Sequence, residues 1–106
     1  MSAQGKASLA QHIEQNRHVV TLSGALTMES VAALYKDVKP FAKGTSVTID
    51  TNAVTKADSS GLALLTALIR RAQTNGAQVT LLPLPSVLSS ITEIYGLQEI
   101  LSAYRA

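Results

Sequence analysis

Serine and aspartate stand together with a glycine behind them at Asp58-Ser59-Ser60-Gly61. Three small polar residues and a Gly directly before a strongly apolar helical pattern form a segment whose free backbone N–H groups and positive helix end can receive an oxygen or a phosphate. The simplest role is structural: Asp58 or Ser59 caps the helix, and Gly61 lets its first turn pack closely. Two hydroxyls stand where one cap suffices, however, and both can be exposed while the leucines after them are buried. Such a hydroxyl can touch a partner, or carry a phosphate that changes the contact by roughly one to three charge-assisted hydrogen bonds. Neither reads as a serine nucleophile, because no neighbouring general base can be named. Thr66, one to two turns further along, reads as a polar residue on the wet side of the helix and is the nearest candidate to extend a contact surface.

The other reactive groups do not converge. His12 and His18 flank an expected hairpin turn, and adjacent strands can bring them together, but no carboxylate is at hand to complete a metal site; partly exposed strand residues are expected. Glu14, Glu29, Glu93 and Glu99 occur singly, without the paired carboxylates of a hydrolase. The glycines at 24, 44, 61, 76 and 96 each fall where an element starts or stops, with no GxGxxG or GxxxxGK pattern among them. The chain has no cysteine, which removes disulfides, a cysteine nucleophile and thiolate metal sites. The expectation is a protein without catalytic residues, cofactor or metal.

The elements that must position the serines are legible from periodicity. Residues 9–13 and 18–23 read as two strands joined by a short hairpin, with Val20 and Leu22 on one face and Val19, Thr21 and Ser23 on the other. Gly24 ends the second strand, and Thr27 caps a helix carrying Met28, Val31, Leu34, Tyr35 and Val38 up to Pro40. Residues 45–50 alternate as a third strand, followed by a short polar connection. The helix after Asp58 has a broad stripe of Leu62, Leu65, Leu68, Ile69 and Ala72, with Arg70 and Arg71 on its wet side complementing the carbonyl end of the dipole. Asn75-Gly76 ends it, residues 77–82 form a fourth strand, and Pro83 and Pro85 close that strand. Ser86 caps a helix with Val87, Leu88, Ile91, Ile94 and Tyr95, and a last segment carries Leu97, Ile100, Leu101 and Tyr104. Helices are therefore expected to begin close to residues 27, 59, 86 and 97. The order β-β-α-β-α-β-α-α predicts an α/β domain with a four-stranded mixed sheet covered by about four helices, its helical crossover right-handed.

Length and composition agree with one core. At 106 residues, 46% hydrophobic and 15% charged, the chain has material for a single domain spanning 1–106 and is not of disordered composition. The formal charge of +2 comes from scattered residues, which gives nucleic-acid binding no support. The small polar first seven residues read as a frayed end, without the apolar block of a secretory signal, and no stretch has 18 uninterrupted apolar residues. A cytoplasmic location is the default expectation.

Ile49-Asp50, then Ala57-Asp58-Ser59-Ser60-Gly61-Leu62-Ala63-Leu64-Leu65, resembles the hallmark of the STAS domain family, shared by anti-sigma factor antagonists and the tails of sulfate transporters. Residues 22–27 resemble the end of its second strand, and residues 79–81 with 87–97 its last strand and the helix after it, so the resemblance spans about residues 9–104. It implies a SpoIIAA-like fold. Two branches of the family apply. In the antagonist branch the second Ser of DSSG, here Ser60, is phosphorylated by a partner kinase, an anti-sigma serine kinase that the unmodified form captures. In the MlaB branch, the small STAS subunits of Mla phospholipid-transport ABC complexes, the residue after the Asp, usually Thr and here Ser59, contacts the ATPase, MlaF. The DSSG itself matches the first branch. Leu22-Ser23-Gly24-Ala25-Leu26, Gly61-Leu62-Ala63-Leu64-Leu65 and Ile94-Tyr95-Gly96-Leu97 resemble the LSGEL, GLALL and LYNL of the second more closely. The resemblance thus implies a partner-binding set of Asp58, Ser59, Ser60, Gly61 and Thr66, with phosphorylation open at Ser60 or Ser59. The implied partners are an ATPase resembling MlaF and, through it, a permease resembling MlaE, with attachment to the inner membrane only through them.

Overall fold

Side-chain alternation fixes which strand face is buried. In a computed structural model describing residues 6–105, β1 (Ser8–Glu14) and β2 (Arg17–Leu26) form an antiparallel hairpin in which Glu14 pairs with Arg17 and Ser8 with Ser23. Along β2 the residues His18, Val20, Leu22, Gly24 and Leu26 are buried, while Val19, Thr21, Ser23 and Ala25 are half exposed. β3 (Ser46–Ala57) lies parallel to β2, and β4 (Gln78–Leu81) parallel to β3, giving the sheet order β1-β2-β3-β4.

Both parallel connections are helical: α1 (Val31–Asp37) links β2 to β3 and α2 (Ser59–Thr74) links β3 to β4. Because the two crossovers step across the sheet in the same direction, right-handed connections lay both helices on one face. α3 (Ser86–Ile94) and α4 (Gln98–Ser102) follow, and their Leu88 and Leu101 join the same core. That core packs Val20, Leu22 and Leu26 of β2 and Val47, Ile49 and Val54 of β3 against Leu62, Leu65, Leu68, Ile69 and Ala72 of α2. The expected element order, mixed four-stranded sheet and four helices are all present.

Several boundaries differ from the sequence reading. α1 begins at Val31 instead of near Thr27, because the Thr27 carbonyl accepts both the Ser30 and Val31 N–H groups and the Ser30 hydroxyl binds the carbonyl of Ala25 at 2.8 Å. A closed turn thus precedes the helix, and Met28, expected in the apolar stripe, is 76% exposed on it. Gly24 does not end β2. It adopts φ of +79° inside the strand, next to a register shift against β3, and a Cβ there would meet the Lys6 carbonyl oxygen at 1.9 Å. Lys6 and Ala7 therefore pack against β2 instead of fraying; the rest of the expected frayed end, residues 1–5, lies outside the described residues.

The polar connection after residue 50 is strand. β3 continues to Ala57 because Thr51 and Val54 keep the buried face while Asn52, Ala53, Thr55 and Lys56 are exposed, and register shifts against β2 break the simple period. The apolar stripes of the last two helices are narrower than their spacing suggests: Ile94, Tyr95 and Ile100 are exposed, since only Leu88, Thr92 and Leu101 of these helices are fully buried.

Candidate functional site

The strand-to-helix junction at Asp58 is built from its carboxylate outward. Asp58 is extended, at φ −121° and ψ −169°, and acts as the N-cap of α2. One carboxylate oxygen, Oδ1, accepts the Ser60 N–H at 2.8 Å, and Oδ2 accepts the Met28 N–H at 3.2 Å. The Asp58 N–H donates to the Leu26 carbonyl at 3.2 Å, and its carbonyl accepts from the Gly61 N–H at 3.0 Å. Asp58 thus joins the end of β2, the turn before α1 and the first turn of α2. Desolvation pushes its pKa up, but the amides of Ser60, Met28 and Gly61 together with the Ser60 hydroxyl outweigh it and hold the carboxyl below its usual value.

Gly61 is fixed by crowding. A Cβ on it would stand 2.9 Å from the Leu26 carbonyl oxygen and 3.0 Å from the Leu26 Cβ, so only glycine lets α2 start this close to the end of β2. The N-cap and close-packing roles read from the sequence are therefore filled by Asp58 and Gly61, with the Ser60 hydroxyl also engaged on the Asp58 carboxylate.

The two serines point different ways. Successive helical residues are rotated by about 100°, so Ser59, Ala63, Thr66 and Arg70 share one outer stripe of α2, while Ser60 turns toward α1 together with Leu64 and Ala67. Ser59 is exposed and Ser60 half-buried. Ser60 lines an open, mainly apolar groove of about 290 Å3 with Val31, Ala32 and Tyr35 of α1 and Ala63, Leu64 and Ala67 of α2. The groove exists because the facing positions carry Ala32, Ala63 and Ala67. Thr66 does not touch the loop; its hydroxyl donates to the Ala63 carbonyl at 2.9 Å, and it lies two turns along the stripe that Ser59 begins.

The structure brings Asp58, Ser59, Ser60 and Gly61 into one loop and sets Thr66 on the same outer face as Ser59. Sequence reasoning missed α1 as part of the site: Val31 and Tyr35 read as core, whereas Val31 is half-buried, Tyr35 exposed, and both line the groove. The available signal was the coincidence of three alanines on two neighbouring helices.

Among the described residues no histidine or second carboxylate is shown bonded to either serine. Both carboxylate oxygens of Asp58 are engaged by amides. The histidines do not meet. His12 pairs across from Val19 on the open face and bonds Glu14 at 2.8 Å, whereas His18 pairs across from Ile13 on the helix side. His18 is 2% exposed instead of partly exposed, because its Nε2 is satisfied by Gln11 Oε1 at 2.9 Å and its ring meets Phe41 edge-on at 4.9 Å. Among the described residues no group of three or more His, Asp or Glu side chains is arranged to hold a metal ion, and no helix is long and apolar enough to cross a membrane.

The family model described as "Mlab, STAS domain" matches residues 9–102. The chain is similar in structure to the anti-sigma factor antagonist SpoIIAA in its unphosphorylated form, with a TM-score of 0.68 and 14% identity over 93% of this chain and 86% of that one. It is also similar to an anti-sigma factor antagonist from Mycobacterium paratuberculosis, with a TM-score of 0.64 and 20% identity over 94% of this chain and 86% of the other. At those identities the likeness is one of fold, and the fold is SpoIIAA-like. No curated protein shows significant sequence similarity to the chain.

Proposed function

The chain belongs to the STAS domain family, and from that membership we propose that it is a non-catalytic subunit binding the cytoplasmic ATPase of an Mla-type phospholipid transporter. In this role it stabilises or regulates the ATPase, in a complex that maintains the lipid asymmetry of the outer membrane. The observation that carries the reading is the match of residues 9–102 to the family described as Mlab. The site's geometry supports it. Ser59 heads an exposed stripe of α2 beside an apolar groove, a pattern suited to a protein surface and poor in reactive groups. Asp58 and Gly61 hold the loop, Ser59 and Thr66 face the partner, and Ser60 lies at the groove. Contact with the inner membrane is then indirect, through the ATPase and its permease.

The direct test is Ser59→Glu. A carboxylate at the first residue of α2 is compatible with the helix dipole, so stability should shift by less than about 1 kcal/mol, while charge and bulk at the outer stripe should abolish capture of the transporter ATPase. A variant that is folded by circular dichroism and pulls down the ATPase undiminished would overturn the reading.

A second reading rests on Ser60. Ser60 is among the residues lining the groove, so a phosphate on it would introduce charge beside an apolar surface, as an anti-sigma factor antagonist controlled by a serine kinase requires. Binding of an anti-sigma kinase that is lost on Ser60 phosphorylation would favour this reading over the transporter role.

A further inference from the structure

Sequence periodicity puts Arg71 on the wet side of α2, serving the carbonyl end of its own helix. Its guanidinium instead crosses to α1. It donates to the carbonyl of Tyr35 at 3.4 Å, to that of Val38 at 2.5 Å and to that of Lys39 at 2.9 Å, and lies over two aromatic rings, 5.1 Å from the centroid of Tyr35 and 5.2 Å from that of Phe41.

Those carbonyls belong to the last turn and exit of a helix of seven residues, too short to be stable by itself and without a side-chain hydrogen bond at its N-cap. The planar fork of arginine suits this position, because several N–H donors reach several carbonyls at once and its flat face stacks on rings. A lysine offers a single compact ammonium in its place. The far side of the same α1 exit is held by Gln11, whose amide donates to the Asp37 carbonyl at 3.0 Å and whose oxygen accepts the Lys39 N–H at 2.9 Å. The exit is thus gripped from α2 on one side and from β1 on the other.

Tyr35 is both a wall of the groove and a ring under Arg71. We propose that Arg71 is the positioning residue of the docking surface: by clamping the end of α1 and the Tyr35 ring to α2, it keeps the α1–α2 groove formed in the free protein. This rests on the groove being a docking surface, as the proposed function has it, and adds that the surface is preorganised. A partner then binds a groove already in place and does not bear the entropy cost of ordering α1.

The test compares Arg71→Gln and Arg71→Lys with the parent chain. Amide hydrogen exchange in residues 34–39 should accelerate at least about tenfold in Arg71→Gln, with sheet amides of β2 and β3 unchanged, because opening becomes local. Affinity for the transporter ATPase should fall roughly three- to tenfold, the cost of ordering one or two side chains, and Arg71→Lys should recover part of it. In a Tyr35→Ala background Arg71→Gln should cost little further affinity, a non-additivity that general destabilisation does not produce.

Unchanged exchange in residues 34–39 overturns the clamp. Faster exchange with undiminished affinity, or fully additive losses with Tyr35→Ala, overturns its role in docking. Ala63→Glu, on the groove wall, separates the two ideas: if it leaves ATPase binding intact, the docking reading fails along with the role given to Arg71 in it, whereas the exchange data still decide whether the clamp exists.

Discussion

The Asp58 carboxylate accepts the backbone N–H of Met28, thirty residues earlier in the chain, with the oxygen left over from capping α2. A helix cap is thereby also a tertiary tie between the two loops at one end of the sheet. Because four donors stabilise the ionised form over the opposing effect of burial, the folded chain holds this carboxyl below its usual value of 3.8. A lowered carboxyl pKa contributes stability that is present above 3.8 and lost as pH falls below it, toward the folded value. Asp58→Asn should therefore flatten the acid limb of the stability curve beneath about pH 4, measured as melting temperature against pH. An unchanged limb would show that other carboxyls set it.

His18 titrates in a different window. Burial first, then the positive charges of Arg71 and Lys39, lower its pKa from 6.5. The folded state prefers the neutral ring, so stability is full above the unfolded value and declines as pH drops through 6.5, levelling off beneath the folded pKa. Urea midpoints of a His12→Gln background, in which His18 is the only imidazole, should fall between about pH 7 and pH 5. His18→Gln should remove the slope.

Leu65 has no exposed surface and sits where α2 faces the sheet. Leu65→Ala should cost roughly 2–5 kcal/mol in chemical denaturation, the sum of lost transfer energy and a cavity. A change of less than about 0.5 kcal/mol, the range of surface substitutions, would contradict the orientation of the helix.

Gly61→Ala tests the approach of α2 to β2. The added methyl would press on the Leu26 carbonyl, a backbone atom that cannot rotate away, so a loss of about 1–3 kcal/mol is expected, typical of overpacking. Ala at position 44, where nothing stands near a Cβ but φ is +79°, serves as a control for conformation without crowding.

Much of the architecture could be read from the chain because its periods survive folding. Val20 and Leu22 against Val19 and Thr21, and the spacing of Leu62, Leu65, Leu68 and Ile69, each record one buried face. Reading failed where a tertiary contact decides. The start of α1 depends on a turn closed by the Thr27 carbonyl and the Ser30 hydroxyl, and the length of β3 on pairing with β2 through irregular register. The site was half legible. Asp58 to Gly61 stand together in sequence, but the groove beside them needs Val31 and Tyr35, which read as core, and Ala32, which no pattern singles out. Arg71 reads as an ordinary helix-end cation because nothing local reveals that α1's carbonyls lie within its reach.

The short β4 finishes the sheet in a way that bears on solubility. Its four residues would offer an open edge, yet the Leu81 N–H donates to the Tyr104 carbonyl at 2.6 Å, and Leu81 forms an isolated parallel bridge with Arg105. Naked strand edges recruit strands from other molecules, and proteins blunt them by shortening or covering them. Residues 104–105 therefore cover the Leu81 end of that edge against intermolecular strand pairing, and the opposite edge strand, β1, carries the polar pair His12 and Glu14 on its open face.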